Sequence, residues 1–135
     1  MKMTNKEIER KAIAVVMEYE GPKRKPAEIK QGKGYDISSN GRFIEVKGTG
    51  KKKLGFVTFQ PGCHRALEKK RRYFVYVVTN LKAGRPELYV INRNNIKEHL
   101  KRKTTWEIRL PVKEMQKWKR HLNHDKNRGR KSGKD

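Results

Sequence analysis

Cysteine is almost absent from this sequence of 135 residues, in which Cys63 is the single example. One thiol excludes an intramolecular disulfide and any zinc site built from several cysteines. The histidines show no ligand spacing with acids or with Cys63, so a zinc site built on imidazoles is not predicted either. The composition fits a reducing compartment.

Long apolar runs are missing as well. No segment approaches the roughly 18 consecutive apolar residues that a membrane-spanning helix needs. The first residues lack the apolar core of a signal peptide. We therefore expect a soluble, cytoplasmic protein without a membrane partner.

Acidic residues are few for the number of basic ones. The sequence has 14 Asp and Glu against 36 Lys and Arg, a net charge of +22. Such an imbalance informs about partners rather than about fold, and the usual polyanionic partners are nucleic acid and anionic membrane. With 33% hydrophobic and 37% charged residues, the length suits one domain with a modest core.

What the sequence does contain is a clear hairpin signal. Asn40-Gly41 stands between two segments of alternating polarity, and both residues tolerate the positive φ of a type I′ turn. The register that follows from a two-residue loop pairs Ser39 with Arg42, Ser38 with Phe43, Ile37 with Ile44 and Asp36 with Glu45. Because side chains alternate along a strand, Lys47 shares the face of Glu45.

The two carboxylates of this hairpin need a positive charge between them. Directly opposed strand residues have Cβ atoms about 4.5–5.5 Å apart, where like charges destabilise the pair. Two interpretations follow: an exposed sheet face on which Lys47 neutralises one carboxylate, or a site at which Asp36 and Glu45 bind a cation. The alternating apolar residues would bury the opposite face, which favours a sheet with neighbours over a free ribbon.

The spacing of these residues resembles a known pattern. Asp36 followed by Glu45-Val46-Lys47 resembles the PD-(D/E)XK motif of restriction-endonuclease-like nucleases, with Tyr35 where proline often stands. The segments ERKAIAVVMEYE, GYDISS and RFIEVKG also resemble the C-terminal domain family of the protein NO VEIN, a domain that many prokaryotic proteins share. The resemblance covers residues 9–92.

The resemblance implies a fold and a chemistry. The fold would be α/β (α+β), a restriction-endonuclease-like mixed β-sheet flanked by helices. The activity would be phosphodiester hydrolysis assisted by Mg²⁺ or Mn²⁺, which prefer hard oxygen ligands. Asp36, Glu45 and the main-chain carbonyl of Val46 would hold the ion. Lys47 would orient the attacking water or neutralise charge on the phosphate.

A further carboxylate often comes from the first helix in this superfamily, and Glu9 and Glu20 share one face of the first predicted helix here. Their separation of 11 residues corresponds to roughly 16 Å along a helix, so at most one of them reaches the hairpin. Glu9 is the first choice, Glu20 is the alternative, and surface charge is the other interpretation of both. Gln60, after the third predicted strand, is a polar candidate for which a structural and a catalytic role have equal weight.

Basic residues near these elements are candidates for phosphate contacts. They are Lys33, Lys51, Lys52, Lys53, Arg65, Lys69 and Arg72. The loop GTGKKKLG lacks the residue order of a nucleotide-binding P-loop, so ATP is not predicted as a ligand. Trp106 and Trp118 are too isolated in the sequence to predict a base-stacking platform.

Apolar periodicity predicts the order α-β-β-β-α-β-β-α. Beyond the hairpin, the predicted elements are a helix over 5–20, a third strand FVTFQ, a helix from Pro61 to Arg72, the strands YFVYVVT and ELYVIN, and a helix over 94–102. WEIRLP would close the sheet or cover its edge. The domain is predicted to end at residue 116, and residues 117–135, with eight Lys or Arg against two Asp, form a basic, disordered tail.

Three functions remain open from the sequence. The first is a metal-dependent nuclease, or a nuclease-like module of a defence or repair system that depends on partner proteins. The second is a catalytically inactive nucleic-acid-binding protein with the same fold. The third, a small RNA-associated basic protein, leaves the facing carboxylates unexplained. DNA is favoured over RNA as the partner, and cleavage of both strands of a duplex would need a homodimer or two successive nicks.

Overall fold

The computed structural model describes residues 3–29, 32–102 and 105–122. These ranges form a six-stranded mixed sheet, a three-stranded antiparallel sheet and four α-helices, which confirms the predicted α/β class. The helices are α1 (Asn5–Glu20), α2 (Pro61–Lys69), α3 (Arg93–His99) and α4 (Val112–Trp118). The strands are β1 (Ala27–Glu28), β2 (Ile37–Ser39), β3 (Arg42–Gly48), β4 (Phe56–Phe59), β5 (Tyr73–Thr79), β6 (Glu87–Ile91), β7 (Leu100–Arg102), β8 (Trp106–Arg109) and β9 (Lys119–Arg120).

The large sheet has the order β1-β2-β3-β5-β6-β9. Its central pair, β3 and β5, is parallel, and the other pairs are antiparallel. A parallel pair needs a crossover connection, and here the crossover contains β4 and α2. The small sheet has the order β4-β8-β7. None of the helices in the described ranges combines the length and the apolar composition that crossing a bilayer requires.

Helix α1 begins and ends where the sequence predicts. The side chain of Thr4 accepts from the Glu7 N–H, and the Glu7 carboxylate accepts from the Thr4 N–H, so a capping box starts the helix. Gly21, at φ 75°, ends it. The buried residues Ala12, Ile13 and Val16 form the stripe that packs on the large sheet.

The hairpin of β2 and β3 has the predicted turn and register. Asn40 and Gly41 have φ values of 51° and 77°, the positive values that a type I′ turn requires. Ile37 pairs with Ile44, and Ser39 pairs with Arg42.

The large sheet has a hydrophobic core on each of its two faces. Strand β5 is therefore buried on both sides. On one face, Val75 and Val77 pack with α2, α3, α4 and the small sheet. On the other face, Tyr76 and Val78 pack with α1. The continuous apolar run YFVYVVT is therefore the central strand that the sequence predicts.

Three predicted elements differ from those observed. Strand β4 pairs with β8 in the small sheet, because β2 and β5 already occupy the two edges of β3. Helix α2 ends at Lys69 rather than Arg72, since the Arg72 carbonyl accepts from the Phe43 N–H and thereby extends the β3–β5 ladder. The helix predicted over 94–102 ends at His99, because the next three residues pair with β8 as β7.

The folded chain also continues past the boundary predicted at residue 116. Trp118 is 3% exposed and belongs to the core beneath α4. Lys119 then pairs with Tyr89 in the large sheet. The segment up to Leu122 thus belongs to the domain, while the rest of the predicted tail, residues 123–135, lies outside the described ranges.

Gly34 offers a test of how closely α2 approaches the segment before β2. A Cβ on Gly34 would lie within 2.8 Å of the Gly62 carbonyl carbon, and Gly34 has φ 85°. Gly84 has a similar φ of 75° but open space around it. Gly84→Ala should therefore cost only backbone strain, about 1 kcal/mol, and Gly34→Ala should cost clearly more because backbone must move. Equal losses in chemical denaturation would contradict this packing.

Candidate functional site

Asp36 is held at the edge of β3 by main-chain contacts. Its N–H donates to the Ile44 carbonyl at 2.7 Å, and its carboxylate Oδ2 accepts from the Val46 N–H at 2.8 Å. Ile44 already pairs with Ile37, so two residues of one strand oppose one of the other, as in a β-bulge. Asp36 is therefore not the simple ladder partner of Glu45 that the turn predicts, and its side chain takes the place of a ladder acceptor for Val46.

Glu45 and Lys47 lie on the face of β3 that points toward α2. Their neighbours Ile44 and Val46 pack in the core beneath α1, so alternation directs Glu45 and Lys47 to the opposite side. Lys47 Nζ lies 3.2 Å from Glu45 Oε2. Glu45 is only 9% exposed, which makes this a largely buried ion pair.

The surroundings of Glu45 favour its neutral form. Burial, and then the negative charge of Asp36, raise the pKa of Glu45 to about 7. The ammonium of Lys47 and a hydrogen bond from the Cys63 thiol act in the opposite direction without cancelling the shift. The single ammonium of Lys47 is therefore not enough to stabilise both carboxylates in their ionised form. This is the environment expected of a site that attracts a cation.

Cys63 and Tyr73 belong to the site although the sequence did not identify them. Burial raises the pKa of the Cys63 thiol to about 11, so it stays protonated and donates to Glu45. Burial also raises the pKa of Tyr73 well above its ordinary value. The Tyr73 hydroxyl donates to the Gly34 carbonyl at 2.7 Å, which ties the segment before Asp36 to the central strand. A lone cysteine on an amphipathic helix carries no sequence signal for such a contact.

The oxygen atoms at this edge are of the kind that hard divalent cations prefer. In a strand, the N–H and the carbonyl of one residue point to the same neighbour, so the Val46 carbonyl is directed toward the side on which Asp36 lies. The described ranges contain no cluster of three or more His, Cys, Asp or Glu that would hold a metal. An ion here would take two carboxylates and one carbonyl and keep several waters, which suits Mg²⁺ or Mn²⁺ rather than Zn²⁺.

Glu9 lies near the end of β3 but on the α1 face. It lines a cavity of about 220 Å³ together with Val46, Gly48 and Thr49. Glu45 and Lys47 point to the other face, and within the described ranges no hydrogen bond or ion pair links Glu9 to them. The role of Glu9 in catalysis stays a prediction.

Glu20, the alternative to Glu9, is engaged elsewhere. It is 4% exposed, accepts from Ser39 Oγ at 2.8 Å and also accepts from Arg42 and Tyr76. Burial alone would raise the pKa of Glu20, but the hydrogen bonds from Tyr76, Arg42 and Ser39 lower it below its ordinary value. The carboxylate is thus a structural anchor near the turn of the hairpin, not a surface charge.

Gln60 and the basic candidates lie on the surface of the domain. Gln60 is the N-cap residue of α2, and its exposed side chain makes no capping bond. It lines a separate cavity beside the small sheet. The predicted phosphate-binding residues are all exposed: Lys33, Lys51, Lys52, Lys53, Arg65, Lys69 and Arg72. Of these, Arg72 contacts the hairpin turn by donating to the Asn40 carbonyl at 3.3 Å.

The fold and the site define a mixed α/β domain that presents an Asp, a Glu and a Lys from one central hairpin. A family model for the C-terminal domain of the protein NO VEIN matches residues 8–91. The chain belongs to this family, which confirms the resemblance found in the sequence. No match was found among curated proteins or among solved structures. The wider resemblance to PD-(D/E)XK nucleases stays a prediction.

The raised pKa of Glu45 predicts a characteristic dependence of stability on pH. Folded Glu45 keeps its proton up to about pH 7, whereas the unfolded chain releases it near 4.5. Because the folded state holds more protons in this window, raising the pH through it lowers the free energy of unfolding, by up to about 3 kcal/mol. Glu45→Gln cannot ionise and should lose less stability between pH 4.5 and pH 8.

Chemical denaturation in the presence of a chelator measures this difference. Glu28→Gln is the matched control, because a hydrogen bond from Arg10 lowers the pKa of Glu28, so its contribution changes only below the ordinary pKa. The control should follow the wild type from pH 5 to pH 8. Parallel curves for wild type and Glu45→Gln would contradict the described environment of Glu45.

Proposed function

We propose that this protein is a metal-dependent nuclease that hydrolyses phosphodiester bonds in nucleic acid, with DNA favoured over RNA as the substrate. The observation that carries the proposal is the arrangement of Asp36 and Glu45: the Val46 N–H holds the Asp36 carboxylate at 2.8 Å, and Glu45, the residue before Val46, is 9% exposed. The neighbouring Lys47 ammonium contacts Glu45. A purely structural hairpin has no need of two acids beside one lysine on a largely buried central strand.

Each residue has a separate task in this proposal. A bound Mg²⁺ or Mn²⁺ would supply Lewis-acid polarisation of the phosphate and a more acidic water. Asp36 is already oriented, because the Val46 N–H fixes its carboxylate. Glu45 must give up its proton to act as a ligand, and the adjacent Lys47 ammonium favours that ionised form. Lys47 would then hold its proton at Nζ and place it beside the attacking water or a phosphate oxygen.

The surface charge supports a polyanionic substrate. The chain carries +22, and the lysines at positions 51–53 follow directly after β3, the strand that bears Glu45 and Lys47. Exposed lysines at the end of a candidate catalytic strand are suited to the phosphate backbone, which supplies most of the sequence-independent affinity for nucleic acid.

A catalytically inactive nucleic-acid-binding protein is the second candidate. It is favoured by the burial of Glu45, which is 9% exposed and whose pKa is raised by that burial, so that the neutral carboxylic acid is stabilised. A carboxylic acid beside a carboxylate needs no cation. The hairpin is then stable without metal, and the basic surface alone carries the function.

Metal-dependent stabilisation and cleavage separate these two candidates. At pH 8, Mg²⁺ or Mn²⁺ should raise the Tm of the wild type by binding only the folded state. Asp36→Asn should abolish that rise and cleavage together, while Lys47→Ala should keep most of the rise and lose cleavage. The assay combines thermal unfolding with cleavage of mixed DNA and RNA substrates. Glu28→Gln, an exposed carboxylate outside the site, is the control and should behave as the wild type.

If the wild type shows neither a metal-dependent Tm nor metal-dependent cleavage, the enzyme proposal fails and the inactive candidate replaces it. Loss of the Tm response in Lys47→Ala as well as in Asp36→Asn would contradict the separate role of Lys47.

Salt dependence tests the proposed phosphate contacts of the lysine loop. Replacing Lys51, Lys52 and Lys53 together with Gln should lower the slope of log affinity against log salt by about two to three on duplex DNA. The matched control replaces three other exposed lysines, Lys6, Lys11 and Lys23, with the same loss of charge. A smaller change is expected for the control, and equal changes would show that net charge rather than the loop determines binding.

A further inference from the structure

Trp106 has an aromatic and a cationic neighbour, His64 and Arg102, in the folded structure. The sequence did not predict the stacking, because His64 is distant from Trp106 along the chain. Trp106 lies in β8, the central strand of the small sheet, and pairs with Arg102 on one side and Phe59 on the other. The His64 ring of α2 stacks on the indole, with ring centroids 4.5 Å apart and 20° between the planes. The guanidinium carbon of Arg102 lies 5.4 Å from the indole centroid.

The indole also borders an open cavity. The cavity has a volume of about 360 Å³ and is lined by Trp106, Arg102, Gln60 and two threonines, Thr58 and Thr105, among others. The other tryptophan of the chain, Trp118, is 3% exposed in the core. Trp106 is thus the tryptophan that a ligand reaches, while Trp118 is a structural residue.

The polar groups of the cavity suit the edge of a nucleobase. The Gln60 amide offers donors and an acceptor, is exposed, and is not used to cap α2. Arg102 is exposed and offers a positive charge for an adjacent phosphate. A flat aromatic surface, an amide and a guanidinium are together the groups that bind unstacked bases in single strands.

Helix α2 connects this cavity with the carboxylate pair. Cys63 on α2 donates to Glu45, and the next residue, His64, stacks on Trp106. The two sites therefore border the same turn of α2.

We propose that this cavity binds one unpaired nucleobase of a single strand. The base takes the place of the Arg102 guanidinium on the Trp106 indole, Gln60 contacts its edge, and the displaced Arg102 contacts its phosphate. The inference rests on the proposed function in its nucleic-acid-binding form and deepens it, because it names a single-stranded segment as the recognised feature. The bases of an intact duplex are already stacked on one another, so a blunt duplex has no base to offer to the cavity.

The fluorescence of Trp106 tests the inference directly. An oligothymidylate of about 12 nucleotides, an abasic strand of the same length and a blunt duplex are titrated separately into the full chain at low salt. All three should bind through their phosphates, but only the oligothymidylate should quench the emission, because stacking requires a base. Buried Trp118 provides a constant background.

Substitutions then show which side chains bind the base. Trp106→Ala should weaken oligothymidylate binding about tenfold or more and leave abasic binding unchanged, while Trp106→Phe should retain most of the affinity. Phe56→Ala is the matched control, since Phe56 is an aromatic residue of the same sheet, is 46% exposed and lies on the opposite face. Gln60→Ala leaves the stacked rings in place and should still weaken binding of the base-containing strand alone, even if Trp106→Ala fails to fold.

The outcomes distinguish this inference from the proposed function. If all three polymers bind but oligothymidylate does not quench the emission, or if Trp106→Ala and Gln60→Ala both bind oligothymidylate as tightly as the wild type does, the cavity is not a base site, although nucleic-acid binding stands. If none of the three polymers binds, the proposed function itself fails.

Discussion

The register of the β2–β3 hairpin is the constraint on which the rest of the site depends. Because the turn at Asn40-Gly41 has two residues, Ile37 must pair with Ile44, and the next residue, Asp36, arrives beside the Val46 N–H. A slip of one residue would send Glu45 and Lys47 to the α1 face and bring apolar side chains to the α2 face. The buried contacts of Glu20 with Ser39 and Arg42 hold the turn end of the same hairpin.

The site itself is a balance between burial and charge. Burial and Asp36 act against the ionised form of Glu45, and Lys47 and Cys63 act for it. Burial and Asp36 outweigh Lys47 and Cys63, and the resulting pKa of about 7 lies near neutrality. Such a balance allows the carboxylate to change its state when a cation or a phosphate arrives, and pKa values near the working pH are common at catalytic sites. A fully compensated ion pair would have no such response.

Local signals in the sequence were sufficient for the elements that carry the site. The capping residue Thr4 and the terminator Gly21 delimit α1, and the Asn-Gly turn sets the hairpin register. Pairing between strands that are distant in the sequence could not be predicted from such local signals. The position of β4 depends on which neighbours β3 already has, and the bulge at Asp36 depends on a side chain replacing a main-chain acceptor. The contacts of Cys63 with Glu45 and of His64 with Trp106 arise only when α2 packs between two sheets.

Direct measurement of Mn²⁺ binding tests the central claim that Asp36 and Glu45 form a cation site. The free ion is followed by its electron paramagnetic resonance signal at pH 8, with the wild type and with Glu45→Gln, in the absence of nucleic acid. The account predicts that the wild type removes one Mn²⁺ per chain from solution and that the variant removes little. Equal uptake by both proteins, or none by the wild type, would contradict it.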